Sequence, residues 1–526
     1  MASPTAPLSA GPGARLLARV DAAVNRWYGS AANPFYRSGS VTVGLFVLLL
    51  VTGLYLLLFY RIGTPWESVS RLTGQVWLGR WIRSLHRFAA DAAVVTACIH
   101  AFRLFAQRRS WGRRTMPWVS GVGLLALIMI CGWTGYVMVW DTFGYQIAVE
   151  GGRLLDLVPL FSEPLGRAFV GERAIPGAFF FLNLFLHIAL PIGMGIMLML
   201  HVSRVARAAI FPSRRLMWWG TGALVVVSVL LPVAMAPKAD PYTIPATVPM
   251  DVFYGFWLPL ARVSPPVVTA LAFVAATAAF MLVPRFTRPS LGRQPKPSVV
   301  NERLCTGCEQ CVQDCPYEAI TMIGRADDRP TLVAHVDPLR CVSCGICAGS
   351  CAPMGVGPPG RTGRDQLTSV RDFMARHAAV QQGVVIIACA RGAGGIAGDG
   401  TFEGAPVYPV SCAGSLHSSV VELLIRGGAA GVLVLSCPTE DCWNREGPKW
   451  LEERLFNERE AELQERVDRR RVRVAALTLA DHDAARAELA DVRARITELD
   501  QTIAEDDIDL LQLCEVAEET EPGVVQ

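Results

Sequence analysis

The chain has 526 residues, room for about three domains, and 52% of them are apolar. Its mean hydropathy of +0.34 exceeds that of an ordinary soluble protein, but it averages a membrane-like stretch, residues 1 to about 290, with a remainder of normal polarity. A net charge of +3 excludes a nucleic-acid partner drawn in by bulk charge, and no short apolar leader with a cleavage site is visible, so no signal peptide is expected.

In chain order, "ARLLARVDAAVNRWYG" (14–29) alternates apolar and basic residues as an interfacial amphipathic helix does. Six apolar runs follow, near 41–60, 82–106, 117–140, 178–204, 216–236 and 265–284, each about the length a bilayer requires. Cations gather at the start (Arg15, Arg19, Arg26, Arg37) and in the second connection (Arg103, Arg108, Arg109, Arg113, Arg114). They gather again in the fourth connection (Arg204, Arg207, Arg214, Arg215) and at the exit (Arg285, Arg288, Arg293, Lys296). The positive-inside rule then predicts a multi-pass protein of the cytoplasmic (inner) membrane with both ends in the cytoplasm. "FTRPSLGRQPKPSVV" (286–300) reads as a linker to a cysteine-dense module ending near residue 360. Beyond it, "VVIIAC", "PVYPVSC" and "GVLVLSC" are strand-like runs around a helix-like "SLHSSVVELLIRGG", the pattern of a small α/β domain. "RVRVAAL" adds a strand and 481–500 a polar helix. From Gln501 the chain carries eight acidic and no basic residues, an arm expected to be mobile or to dock.

Four histidines stand in the apolar region at matched intervals. His86 and His100 are 14 residues apart on one run, and His187 and His201 are 14 apart on another. Fourteen residues make about 3.9 helical turns and about 21 Å, so each pair leaves one helix face at two depths. Two such helices facing each other would hold two haems, one between His86 and His187 and one between His100 and His201, each iron closed by two imidazoles. The plainer alternative is four core histidines hydrogen-bonded to neighbouring helices. Gly39 and Gly53, and Gly121 and Gly135, repeat the interval and would admit a macrocycle, although small residues also serve ordinary helix packing. Arg83, Arg87 and Arg103 flank the histidines and suit haem propionates or the membrane surface.

"NPFYRSGS", "WIRSLHRF", "GWTGYVMVWDTFGYQIA" and the histidine spacing resemble the cytochrome b of quinol-oxidising bc and b–f complexes. The likeness continues through "DPYTIPATVP", which resembles the start of the separate fourth subunit of b–f complexes, and covers about 14–284. It implies that His86 and His187 hold the haem near the outer face, and His100 and His201 the haem near the cytoplasm. It also implies a quinone as substrate and a homodimer. Two positions depart from the family. Arg37 stands where b–f cytochromes attach a third haem through cysteine, so no covalent haem is expected. "VPMDVFYGFWLP" replaces the Pro-Glu-Trp-Tyr motif of the outer quinol site, leaving Asp251 as the candidate acid there.

Twelve of the 15 cysteines lie between Cys305 and Cys442, and a reducing cytosol disfavours disulfides among them. "CTGCEQCVQDCP" and "CVSCGICAGSCAP" have the spacing of two-cluster bacterial ferredoxins, in which the fourth cysteine of each run serves the other cluster. One [4Fe-4S] cluster is then assigned to Cys305, Cys308, Cys311 and Cys351, and the second to Cys341, Cys344, Cys347 and Cys315. Zinc is the alternative for repeated Cys-x-x-Cys pairs. Cys389, Cys412 and Cys437 each end a strand-like run, and Cys442 follows in "CPTEDC". Carboxyl ends of strands in an α/β sheet converge, so these four are candidate ligands of a [2Fe-2S] cluster, with zinc or a redox thiol pair as alternatives. "VSCAGSLHSSVVELLIRGGAAGVLVLSCPTEDCW" resembles the delta subunit of methyl-viologen-reducing hydrogenases, over about 383–500. That family passes electrons between a hydrogenase or formate dehydrogenase and a flavoprotein of heterodisulfide-reductase type. His417, on the helix after Cys412, is a further candidate ligand, although a surface position is the expectation.

The expected fold is multidomain: an all-α transmembrane cytochrome b bundle of about six spanning helices (1–290), an α+β ferredoxin-like domain (291–360), a small α/β iron–sulfur domain (380–500) and an acidic tail (501–526). The order of parts suggests a membrane-bound subunit of a quinone-linked oxidoreductase, carrying electrons between the quinone pool and a cytoplasmic flavin/iron–sulfur oxidoreductase. A bc-type quinol:cytochrome c oxidoreductase core is the rival reading, and a membrane-anchored redox sensor the third.

Overall fold

Packing divides the chain into two units, Pro34–Leu291 and Met1–Asn33 together with Gly292–Gln526. The computed structural model describes residues 12–158, 169, 175, 177–240, 251–289, 295–327, 329–392, 396, 400–478 and 481–519, with side chains to residue 503. Most of "DPYTIPATVP" and of the glycine-rich 392–398 stretch, residues 290–294 of the linker, and the tail beyond Glu519 lie outside the described residues.

Helix α1 (Pro12–Tyr28) groups with the C-terminal unit, although the sequence assigned it to the membrane domain; its buried stripe is Ala18, Asp21 and Ala22. The membrane unit contains α2 (Ser38–Leu57), α3 (Pro65–Gly74), α4 (Gly79–Ala106), α5 (Thr115–Val139), α6 (Thr142–Leu155), α7 (Gly177–Ser203), α8 (Arg214–Leu230), α9 (Leu258–Val263) and α10 (Pro266–Thr287). Among the described residues five helices are long and apolar enough to cross a membrane: α2, α4, α5, α7 and α10. The sixth expected span is α8, which has 17 residues rather than the 21 of the apolar run. It stops at Leu230 because Pro232, just beyond, offers no N–H to continue the ladder. Helix α2 packs along α4, and α5 along α7. Thr42 and Thr96 join the first pair by a 2.8 Å hydrogen bond, and the Trp118 indole donates to the Phe280 carbonyl to tie α5 to α10.

The C-terminal unit begins with two small antiparallel pairs. Strand β1 (Val299–Val300) pairs with β4 (Val356–Gly357), and β2 (Ile320–Ile323) with β3 (Val333–Val336). Two single-turn helices, α11 (Gln310–Gln313) and α12 (Ile346–Gly349), lie within the two cysteine runs. After α13 (Gly363–Arg376) come β5 (Val384–Cys389), β6 (Thr401–Phe402), β7 (Ala405–Val410), α14 (Ser418–Arg426), β8 (Gly431–Ser436), α15 (Gly447–Phe456), β9 (Val472–Ala476) and α16 (His482–Glu519). The sheet order is β6-β7-β5-β8-β9, with β6 antiparallel to β7 and the other neighbours parallel. Every residue of β5 and β8 is buried, as expected of central parallel strands covered on both faces. Val370, Phe373, Val420, Val421, Leu424 and Leu451 from α13, α14 and α15 cover one face. Ala485, Leu489, Val492 and Ile496, at helical intervals on α16, cover the other. The polar helix expected over 481–500 runs on to Glu519, so the acidic segment begins as its continuation.

Candidate functional site: paired histidines and three cysteine sets

In the bundle the antiparallel pairing of helices brings each glycine to one histidine. On α2 and α4, Gly39 meets His100 and Gly53 meets His86; on α5 and α7, Gly121 meets His201 and Gly135 meets His187. A Cβ at these glycines would stand 2.8, 3.3, 3.4 and 3.0 Å from ring carbons of the imidazoles, in that order. His86 and His187 then face each other with ring centroids 6.5 Å apart and planes inclined at 60°. Two imidazoles bound to one metal at about 2.0–2.1 Å each leave their centroids about 6 Å apart, so the pair fits an iron between them. His100 and His201 follow at the same 14-residue interval on the same two helices, α4 and α7.

A hydroxyl residue precedes each glycine: Ser38, Thr52, Ser120 and Thr134. Three of the four hold a histidine Nδ1, with Thr52 at 2.8 Å from His86, Ser120 at 2.9 Å from His201 and Thr134 at 3.0 Å from His187. Each of these hydroxyls already donates its proton to a carbonyl of its own helix (Leu48, Met116 and Cys131). It can therefore only accept from the imidazole, which places the proton on Nδ1 and leaves the Nε2 lone pair free for a metal. Pro191 interrupts α7 four residues after His187 and supplies no N–H to the His187 carbonyl; the Cys131 thiol donates there instead at 4.0 Å. The sequence reading used the glycines but missed the hydroxyls, whose signal was the Ser/Thr-Gly dipeptide repeated at all four positions.

The flanking cations take protein partners. Arg83 donates to the Val233 carbonyl at 2.8 Å, and Arg103 is buried beside the Tyr36 ring. Arg87 pairs with Asp91 and Asp251. Asp251 accepts from Arg87, the Tyr136 hydroxyl and the backbone N–H groups of Phe253, Tyr254 and Gly255. Burial pushes its carboxyl pKa up, but these donors together outweigh burial and hold it below the ordinary carboxylate value.

The two cysteine runs fold as near copies. The residues on either side of the second cysteine adopt left-handed backbone in both: Gly307 (φ 83°) and Glu309 (φ 66°), Ser343 (φ 59°) and Gly345 (φ 83°). Non-glycine residues resist that region, so Glu309 and Ser343 are held there by the loop closing around its centre. One cavity is lined by Cys305, Cys308, Cys311 and Cys351, and a second by Cys315, Cys341, Cys344 and Cys347. Each set of four is thus completed by the last cysteine of the other run. Backbone N–H groups point at the crossing sulfurs in matching fashion, Ala319 to Cys315 Sγ (3.3 Å) and Gly355 to Cys351 Sγ (3.2 Å). Such donors favour thiolate and fit an anionic iron–sulfur group.

Cys389 ends β5, Cys412 follows β7 by two residues and Cys437 follows β8 directly, so three adjacent parallel strands deliver them to one edge of the sheet. Cys442 joins from the next loop, and all four are buried. Cys437 donates toward both Cys389 and Cys442, which pulls their pKa values below that of a free thiol and raises its own. Gly447 lies against this set, where a Cβ would be 3.1 Å from Cys412 Sγ and 3.3 Å from Cys442 Sγ. Among the described residues no three His, Cys, Asp or Glu side chains converge on a single ion.

His417, expected at the surface, is buried: its Nε2 lies 3.2 Å from the Cys351 carbonyl, and its Nδ1 accepts from the Ser419 N–H at the start of α14. Burial pushes its pKa down to about 4, so it is neutral. Beside it, fully buried Arg454 reaches Asp314, Ser350 and the Gly414 carbonyl, joining the loops of the cysteine runs to the α/β domain.

Residues 24–209 match the family described as cytochrome b/b6/petB, 304–355 the 4Fe-4S dicluster domain, and 384–500 the delta subunit of methyl-viologen-reducing hydrogenase. Over 158 residues the chain is 30% identical to cytochrome b6 of Synechococcus sp. (strain JA-3-3Ab), a stretch covering 30% of this chain and 74% of that protein. Over 145 residues it is 30% identical to the menaquinol:cytochrome c reductase cytochrome b subunit of Geobacillus thermodenitrificans, covering 27% and 65%. A solved hyperthermophilic respiratory Complex III aligns at a TM-score of 0.39 and 15% identity, over 50% of this chain and 78% of that one.

Proposed function

Because the chain belongs to the cytochrome b family and continues into a 4Fe-4S dicluster domain and a hydrogenase delta-type domain, we propose that it links the quinone pool to a cytoplasmic flavin/iron–sulfur oxidoreductase. The observation that carries this reading is the sequence of sites on one polypeptide: paired histidines in the bundle, then two cysteine-lined cavities, then four cysteines at a sheet edge. His86 with His187, and His100 with His201, hold two b haems, which the free Nε2 atoms of His86, His187 and His201 suit. Cys305, Cys308, Cys311 and Cys351 hold one [4Fe-4S] cluster, and Cys315, Cys341, Cys344 and Cys347 the other. Cys389, Cys412, Cys437 and Cys442 hold a [2Fe-2S] cluster. When bound, these groups supply one-electron carriage, so that the two electrons and two protons of a quinol can be parted. Asp251 is the acid of the outer quinone site; its five donors keep it ionised and hold Tyr136 and Arg87 in place. The arginine clusters between the apolar helices support a cytoplasmic side for both termini, and with them the iron–sulfur domains.

The partner at the far end is a heterodisulfide-reductase-like flavoprotein, a hydrogenase or a formate dehydrogenase, by the chemistry of the delta-type family. A bc-type core is the second reading, favoured by the likeness to the Geobacillus menaquinol:cytochrome c reductase subunit and opposed by the missing Pro-Glu-Trp-Tyr motif. Purification from its membrane in mild detergent, with copurifying chains identified by mass spectrometry, separates the two. A cytoplasmic flavoprotein or hydrogenase-type chain is the expected result. A Rieske protein with an exported cytochrome would overturn the proposal in favour of the bc-type core.

A further inference from the structure

Arg361 lies between the segments matched by the two iron–sulfur families, so neither family accounts for it. Its guanidinium is partly buried and bridges two ligand loops. Nη2 donates to both the carbonyl (2.9 Å) and the hydroxyl (2.8 Å) of Ser343, which sits between Cys341 and Cys344. Nη1 donates to the hydroxyl of Ser411 at 2.8 Å, and Ser411 immediately precedes Cys412. The same two loops touch again at Gly345, where a Cβ would come within 2.9 Å of the Ser415 Cβ. The backbone that carries Arg361 is fixed. Thr362 opens α13 with a capping box, its Oγ1 accepting from the Asp365 N–H and the Asp365 carboxylate accepting from the Thr362 N–H. Gly357 lies close beneath it: a Cβ there would stand 3.0 Å from the Thr362 Cα.

We infer that Arg361 is the positioning residue between the cofactor of Cys315, Cys341, Cys344 and Cys347 and the cofactor of Cys389, Cys412, Cys437 and Cys442, and that electrons cross between them at the Cys344–Cys412 edge. The inference rests on the reading that the last four cysteines hold a redox cluster. Three hydrogen bonds from one rigid fork hold the two loops at a fixed separation, which lysine could not reproduce. A fixed positive charge in a poorly hydrated gap also favours the reduced, more negative state of whatever lies on either side. The two serines that Arg361 holds are the immediate chain neighbours of Cys344 and Cys412, which makes these the thiols nearest in sequence to the bridge on either side. The hydrogen bonds of the Arg361 side chain go to Ser343 and Ser411, whose loops carry Cys341, Cys344 and Cys412, and not to the loop of Cys305, Cys308 and Cys311. One electron leaving the reduced dicluster side reduces the oxidised delta-type side, with no proton required at Arg361.

The test is an EPR-monitored redox titration of the full chain in detergent, comparing wild type with Arg361→Gln and Arg361→Lys. Arg361→Gln is expected to move the midpoint potentials of the two flanking clusters to more negative values and leave the Cys305/Cys308/Cys311/Cys351 cluster unmoved. Arg361→Lys should restore most of the potential while weakening the magnetic interaction between the flanking clusters. If glutamine reduces cluster occupancy, Ser411→Ala removes a single hydrogen bond and should shift the delta-type cluster alone. A wild-type chain with no signal from the last four cysteines would sink the underlying reading and the inference with it. Signals present but unmoved in Arg361→Gln and Ser411→Ala, or all three clusters moving alike, would sink the role of Arg361 by itself.

Discussion

His86 and His187 come from different helix pairs and meet only when the bundle packs, whereas Cys305, Cys308 and Cys311 are all carried by one short loop. In the bundle, room for a cofactor is made by absence, with four glycines standing where a Cβ would press on an imidazole. In the cysteine runs it is made by backbone conformation, with left-handed residues on either side of the second cysteine turning the loop about its own centre. The surrounding medium explains the contrast. Hydrocarbon leaves no water to satisfy a stray imidazole N–H, so Thr52, Ser120 and Thr134 each close a hydrogen bond inside the bundle. Loops in water can spend backbone N–H groups on sulfur instead, as Ala319 and Gly355 do. The delta-type domain takes a third course, gathering cysteines at the carboxyl ends of three parallel strands.

Four variants sharpen this contrast between long-range and local assembly. His100→Ala should abolish one haem of two while leaving the iron–sulfur EPR signals intact, measured by haem per chain alongside the spectra. Retention of both haems would mean that the pairing of histidines is wrong. Cys315→Ser, although it lies in the first cysteine run, should cost the cluster of Cys341, Cys344 and Cys347 and spare that of Cys305, Cys308 and Cys311. Iron content and the surviving EPR spectrum report which is lost; loss of the first cluster instead would break the exchange of fourth ligands. Arg454→Met takes one of two cations from buried Asp314, leaving Arg459 and the Ser350 hydroxyl, and should destabilise the iron–sulfur unit by about 1–3 kcal/mol. The midpoint of cluster-absorbance loss on heating should fall, and an unchanged midpoint would make that ion pair dispensable. The smallest effect is expected from Thr52→Val, which removes the acceptor of His86 Nδ1–H at a cost of about 1 kcal/mol. Haem content should persist while the midpoint potential of that haem rises, because a less electron-rich imidazole stabilises ferric iron less.

Much of the site was legible because its residues have few other uses. Histidines 14 apart in apolar helices and cysteines in paired Cys-x-x-Cys runs are rare unless a ligand requires them. The strands of the α/β domain were equally plain, since β5 and β8 are unbroken apolar runs. The end of α8 was not read correctly, because hydropathy continues through Leu231 to Ala236 while Pro232 stops the ladder. His417 was misplaced because a polar residue at a helix start looks like surface until the Cys351 carbonyl is brought against it. Arg361 and Arg454 gave no local signal at all, since an arginine in a loop or on a short helix resembles any solvated cation.

The sequence alone therefore determined what kinds of cofactor this protein suits and which residues are available to hold them, since ligand chemistry and periodicity are properties of the chain. Tertiary structure decided the partnerships. Antiparallel packing sets Gly39 against His100 rather than His86, the crossing of two loops lends Cys315 and Cys351 to each other's sets, and domain packing brings Arg361 between Ser343 and Ser411. Spacing along a chain specifies which residues share a face; which faces meet depends on the packing of elements far apart in sequence.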